Sequence, residues 1–278
     1  MKHCTVCYNG FCADVGSVVL KQAIVVTSLV VAVIGVKLYV DHEVRHIRRH
    51  FDGEIRNLQS DKKTFSEIYK THSFWGTPEH LSGLASAKKY AMPCIEYVQN
   101  FINTTELKTI YDFGCGSYEW MQHVVVPKNV QYYGVDVVDS VIQANKEQYE
   151  KDNIHFVGID STDDFMKYKG DLLIVKDVFD CWNTERTQYF LDNVLPNFRY
   201  AIIVGYYSLN GKNNRACDAT GPAHNRDMEA APFNLKCKES KIYEIHFDEE
   251  GKQSTAYKKI VLWVNPTYVS QGGNGESS

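Results

Sequence analysis

The stretch Thr109–Met121, Thr-Ile-Tyr-Asp-Phe-Gly-Cys-Gly-Ser-Tyr-Glu-Trp-Met, constrains the fold of this chain more than any other. Its apolar start runs into Asp112 and then Gly114 and Gly116, the pattern by which a buried parallel strand enters a tight glycine turn ahead of a helix. Such a turn brings backbone N–H groups to the carboxyl end of a strand. Glycine is needed there because a Cβ would block both the positive φ angles and the approach of a ligand. A second apolar strand, Tyr132–Asp136, ends in an acid placed where a ribose would offer its hydroxyls. The two together predict an α/β fold with a nucleoside site at the strand ends.

Two nucleoside ligands fit, and the third glycine position helps to separate them. A dinucleotide fingerprint wants a third glycine and a helix N-terminus for the pyrophosphate, whereas this chain has Glu119 in that place. A carboxylate in the first helical turn repels a pyrophosphate but does little harm to S-adenosylmethionine, which carries a sulfonium and an ammonium. Asp112 also suits an ammonium-bearing ligand.

These residues resemble the class I S-adenosylmethionine-dependent methyltransferases. Cys115–Met121 looks like the C-G-D-F-x-W-M turn of one subgroup, and the likeness continues through Tyr133–Val138, Asp171–Val178 and Ala231–Leu235, spanning roughly Gly76 to Asn265. The chain departs from that subgroup at Gly114, Ser117 and Lys176, where Pro, Asp and Arg are usual, and at Cys181, often His. The resemblance implies a Rossmann-like seven-stranded sheet, six strands parallel and one antiparallel, with helices on both faces. It also implies a donor site of Asp112, Gly114, Gly116, Trp120, Asp136, Val137, Asp160, Ser161 and Lys176, with Asp160 accepting the adenine amino group.

Composition fits one catalytic domain with an N-terminal appendage. The chain has 278 residues, 44% of them hydrophobic, enough for one large core. A net charge of -4 gives no general attraction to nucleic acid, and no nucleic-acid partner is expected. The tail 1–17 holds Cys4, Cys7 and Cys12, to which no chemistry is assigned. Residues 18–40 follow, with an uncharged core from Ala23 to Val36 and Lys21 and Lys37 near its ends, and are expected to form one transmembrane anchor. Arg45, Arg48 and Arg49 follow it, against Lys2 before it, so the positive-inside rule favours a cytoplasmic catalytic domain, with a lumenal one in the ER or Golgi as the alternative. Residues 41–72 read as an amphipathic stalk helix whose apolar face offers a homodimer contact. His42, His46 and His50 lie at helical spacing on it, but a solvated face explains them better than a metal site, and no metal is expected.

Within the domain, residues 73–266, a helix is expected from about Ala87 to Phe101, and Asp139 is expected to cap a helix over Ser140–Lys151. A third strand covers Ile154–Val157, a fourth Asp171–Val175 and a fifth Tyr200–Val204, with an Asn183-capped helix between the last two. The chain closes with a hairpin, Ile242–Phe247 and Tyr257–Val264, and a disordered tail over 267–278. Lys176 and Asp177 fall at the carboxyl end of the fourth strand, facing the cleft of an open parallel sheet. The polar segment Gly205–Asn234 is long for a compact domain and is expected to be an acceptor-binding lid. Asp177 from the strand end and His224 from the lid are the candidate general bases. The expected activity is methyl transfer to the oxygen of a small-molecule or glycan acceptor, with S-adenosylmethionine as donor. A donor-binding scaffold without catalysis and an NAD-dependent oxidoreductase remain as alternatives.

Overall fold

The structure is a computed structural model and describes residues 5–8, 11–14, 36, 37, 39, 62–72, 76–160, 167–215, 224–249 and 252–268. The chain divides into two units, Met1–Gly53 and Glu54–Ser278. In the first, β1 (Thr5–Tyr8) and β2 (Phe11–Asp14) form an antiparallel hairpin. Residues 36, 37 and 39 are helical, whereas most of the expected anchor, the expected stalk up to residue 61 and its three histidines lie outside the described residues. Among the described residues no helix is long and apolar enough to cross a membrane.

The second unit is built on a seven-stranded sheet of order β5-β4-β3-β6-β7-β9-β8. Its strands are β3 (Thr109–Phe113), β4 (Gln131–Asp136), β5 (Ile154–Gly158), β6 (Gly170–Lys176), β7 (Phe198–Tyr207), β8 (Glu239–Glu249) and β9 (Lys252–Val264). β3 to β7 pair in parallel, and β9 inserts antiparallel between β7 and β8, giving the expected six and one. The chain leaves β3 toward β4 and β5 on one side and returns to β6 and β7 on the other. The carboxyl ends of β3 and β6 therefore flank the topological switch point, where ligands of such sheets bind.

Helices cover both faces. α1 spans residues 62–71, α2 is Lys88–Thr104, α3 is Asp139–Tyr149 and α4 is Thr184–Asn193. α2 buries Tyr90, Ala91, Cys94, Ile95, Val98 and Ile102, a stripe at helical spacing, against Ile110, Leu172, Ile174, Ile202 and Ile260 of the sheet. Phe190 and Leu191 of α4 pack on the opposite face with Phe113, Leu173, Val175 and Ile203. β6 reads as a continuous apolar run because both its faces are covered. Each of its fully buried leucines contributes about 1.5–3 kcal/mol. Asn183 caps α4 as expected, accepting the Arg186 N–H at 2.8 Å. Asp139 does not cap α3: it is the first helical residue, after Val138, and its carboxylate engages Lys62 instead.

Candidate functional site

At the end of β3 the chain turns through Gly114 (φ 71°) and Gly116 (φ 52°), both left-handed. A Cβ at Gly114 would collide with the Val178 side chain, and one at Gly116 with the hydroxyls of Ser82 and Tyr69. The N–H groups of Gly114 and Cys115 both donate to the Val135 carbonyl, at 2.7 and 3.1 Å. Asp136 braces the turn from β4, its carboxylate accepting the N–H groups of Gly116 and Val138, each at 3.0 Å. Burial raises its pKa while these backbone donors oppose the shift. Asn145 of α3 completes the brace by donating to the Gly116 carbonyl at 2.7 Å.

The α-helix expected after this turn is absent. Tyr118 adopts φ 59° and the chain continues through a short 3-10 turn, Met121–His123. Glu119 therefore does not lie in a first helical turn, and its carboxylate meets His80 Nδ1 at 2.5 Å. The consequence for the ligand strengthens the original preference, because a turn without a helix N-terminus offers no ready pyrophosphate site.

Beside the turn, at the switch point, stands Asp112. It is buried, its Oδ2 accepts the Tyr132 hydroxyl at 2.8 Å, and its Oδ1 has no hydrogen-bond partner among the described residues. Burial pushes this carboxyl up to about 7, against the opposing pull of Tyr132 and Lys176. Across the switch point the buried Lys176 ammonium reaches Asp177 Oδ2 at 2.6 Å and Ser86 Oγ at 3.4 Å, and lies 6.0 Å from the centre of the buried Trp120 ring.

Asp177 sits in a left-handed conformation (φ 63°) held by its N–H bond to the Val204 carbonyl, at 2.8 Å. Its other oxygen accepts from Lys258 of β9, whose side chain is fully buried and whose ammonium lies 4.0 Å from the ring centre of Tyr206, its cross-strand partner. Burial disfavours the Asp177 charge, but the two ammonium groups outweigh it and hold the carboxyl below the usual carboxylate range. Nearby Asp180 goes the other way: burial and the Asp177 charge push it up to about 8. Lys258 was missed in the sequence, although a charged residue alternating with Ile260 and Leu262 on the core-facing side of a strand is a visible anomaly.

The mouth of the turn is roofed by α1, which the sequence reading placed in the stalk. Tyr69 bonds Ser82 Oγ at 3.0 Å, and Ser82 in turn bonds the Ser117 hydroxyl and N–H, each at 2.8 Å. At the far end of the helix Lys62 bridges Asp139 and Asp160, at 2.8 and 2.6 Å. Seven residues of helix span about 10 Å, close to the width of two strand spacings, so one helix reaches from the β3 turn to the end of β5. None of Lys62, Tyr69 and Ser82 carries a motif; only the fold brings them here.

Of the other expected residues, Val137 is half-buried beside Asp136, and Ser161 lies outside the described residues. The polar segment after β7 is described except for residues 216–223 and is pinned to the sheet. Arg226 is buried and donates to the carbonyls of Phe179 and Trp182, and Lys259 pairs with Asp227 and Glu229. The His224 N–H donates to the Asp180 carbonyl at 2.9 Å, which ties this histidine to the loop that follows Asp177. Burial and the Arg226 charge lower its imidazole pKa, leaving it unprotonated at pH 7.

No family model matches the sequence, and no curated protein matches it. Solved structures do share the fold. A SAM-dependent methyltransferase from Anabaena variabilis aligns with a TM-score of 0.52 and 12% identity over 74% of this chain and 93% of that one. The N-methyltransferase NodS from Bradyrhizobium japonicum, in complex with S-adenosyl-L-homocysteine, aligns with a TM-score of 0.52 and 10% identity over 76% of this chain and 99% of that one. At such identities the likeness is one of fold.

Proposed function

We propose that this chain, whose fold is that of the class I S-adenosylmethionine-dependent methyltransferases, moves the methyl group of S-adenosylmethionine to the oxygen of a hydroxylated small molecule or glycan. The observation that carries the reading is Asp112, a buried carboxyl at the switch point with one oxygen lacking a partner among the described residues. It fits the ammonium of the donor's methionine part, as Asp136 fits the ribose and Asp160 the adenine amino group. The bound donor supplies an electrophilic methyl group. The protein's own tasks are to align the acceptor and to accept one proton.

Asp177 and His224 divide those tasks. A carboxylate held between two lysines is a weak base, so Asp177 orients the acceptor hydroxyl and His224 takes its proton. Calorimetry tests the class: S-adenosylmethionine and S-adenosylhomocysteine should bind, and NAD should not. Tighter binding of NAD would overturn the assignment, and donor binding without turnover on any screened acceptor would favour a scaffold. His224→Gln is expected to lower turnover by roughly a hundredfold or more with donor affinity unchanged. If donor affinity falls as well, His224 belongs to the donor site.

The membrane assignment is part of the same proposal and rests on the uncharged run within residues 18–40 and its basic flank. The protein should stay with membranes through a carbonate wash, and protease added outside sealed microsomes should digest the catalytic domain. Release by carbonate would remove the anchor, whereas a protected domain would reverse its orientation.

A further inference from the structure

We infer that the acceptor carries a carboxylate beside the hydroxyl that is methylated, and that Lys258 and Tyr243 hold this carboxylate. The inference rests on the methyltransferase reading above and names the substrate class of that site. Tyr206 of β7, Lys258 of β9 and Tyr243 of β8 are direct cross-strand partners and form one row across three strands. Side chains so opposed on one face stand about 4.5–5.5 Å apart at Cβ, so the Lys258 stem rises between two tyrosines. Tyr243 packs with Ile245, Ile260 and Leu262, on the face of β9 from which Lys258 also projects. The Tyr243 side chain is buried, the residue being 8% exposed, and its hydroxyl has no hydrogen-bond partner among the described residues. A buried hydroxyl in that state costs stability that a phenylalanine of the same shape would avoid. A ligand oxygen that accepts its hydrogen bond accounts for the tyrosine.

The charge around that hydroxyl calls for an anion. The Lys176 and Lys258 ammonium groups share the single carboxylate of Asp177. Neighbouring acids do not balance the excess: Asp180 is pushed up to about 8, burial pushes the Cys94 thiol of α2 up to about 12, and Asp112 is matched by the donor's ammonium. One positive charge is left over, which suits a carboxylate better than a doubly charged phosphate. Burial, together with the charges of Cys94 and Asp177, raises the Tyr243 pKa, so its hydroxyl stays a donor at neutral pH. The Lys258 ammonium has three N–H groups, and among the described residues Asp177 and the Tyr206 ring account for two of them. Asp177 is the part of the cluster open to solvent, with 24% of its side chain exposed against 3% for Lys176 and none for Lys258. The acceptor therefore enters over Asp177, leaves its hydroxyl there and turns its carboxylate toward Lys258 and Tyr243.

The test uses the full chain with S-adenosylhomocysteine and three pairs of probes that differ only in charge: glucuronate and glucuronamide, 3-hydroxybenzoate and 3-hydroxybenzamide, lactate and lactamide. Binding is read by calorimetry, so no turnover is required. At least one acid is expected to bind about tenfold or more tightly than its amide, and Tyr243→Phe to lower that preference about tenfold. The variant is expected to melt no lower than the wild type, because it loses a hydroxyl that the folded chain does not bond. A merely structural tyrosine would move the melting temperature and leave the acid-to-amide ratio alone. Equal binding of acid and amide in every pair, or a ratio unchanged in Tyr243→Phe, overturns the proposal. Failure of S-adenosylhomocysteine itself to bind would instead sink the methyltransferase reading, and the acid-to-amide ratio on the ligand-free protein would still decide whether this row of residues takes a carboxylate.

Discussion

Asp112→Asn is expected to lower donor affinity at least a hundredfold while leaving the donor-free protein as stable as before, or more so. The affinity loss follows from replacing a carboxylate that meets an ammonium in a dry site, where charged hydrogen bonds are strong. The stability effect has the opposite sign because the same carboxyl is costly without its ligand. Its folded pKa of about 7 lies above the ordinary value near 4, so its contribution to stability is complete below pH 4 and is lost as pH rises through 7. A shift of that size corresponds to a loss on the order of 4 kcal/mol at most. The donor-free protein should therefore melt lower at pH 8 than at pH 6, and the Asn variant should lose less over that range. Asp180, pushed up to about 8, adds a similar slope to both proteins.

The same carboxyl makes donor binding a proton-releasing event. Half-protonated near pH 7 in the free protein, Asp112 must ionise to receive the ammonium, so affinity should fall about tenfold per unit below pH 7. Calorimetry in buffers of different ionisation heat should show about half a proton released at pH 7 in the wild type and none in the variant. Equal release from both proteins would place the titrating group elsewhere and leave Asp112 Oδ1 without a ligand.

Lys258→Met is expected to cost about 3–5 kcal/mol, read as a drop in the denaturation midpoint. The methionine nearly preserves the volume of a fully buried side chain, so little of the loss comes from packing. It comes from leaving Asp177 with one ammonium where it had two. The depressed pKa of Asp177 gives stability that is present above pH 4 and lost as pH falls through the folded value. The gap between variant and wild type should accordingly be largest at neutral pH and narrow in acid. In a double-mutant cycle, Lys258→Met and Asp177→Asn should cost much less together than the sum of the single changes. Additive costs would mean that the contact carries no energy of its own. The cycle also separates structure from catalysis, since none of these readouts requires an acceptor.

The sequence by itself determined the parts of the protein whose physics is local. The run from Thr109 through Gly116 fixed a strand and its left-handed turn, because only glycine tolerates the φ angles and the close approach of Ser82 and Tyr69. The buried run of β6 marked a central parallel strand, Asn183 marked the start of α4, and the paired segments around residue 250 gave the closing β8–β9 hairpin. The contacts that turn strand ends into a site were decided only in the tertiary structure. Lys258 meets Asp177 across 81 residues, Lys62 meets Asp160 across 98, and Ser82 meets Ser117 across 35. Each depends on strand order and register, to which a repeat of two or 3.6 residues is blind. The 3-10 turn after Tyr118 belongs to the same class, for its chain path is set by packing of Tyr118 against Tyr132, Tyr149 and Phe156 rather than by helix propensity. Charges follow the same division: the sequence supplied Asp112, Asp177 and Asp180 as three acids of one kind. Burial and the two lysines made one of them a ligand-ready carboxyl near 7, one a fixed anion and one a neutral acid.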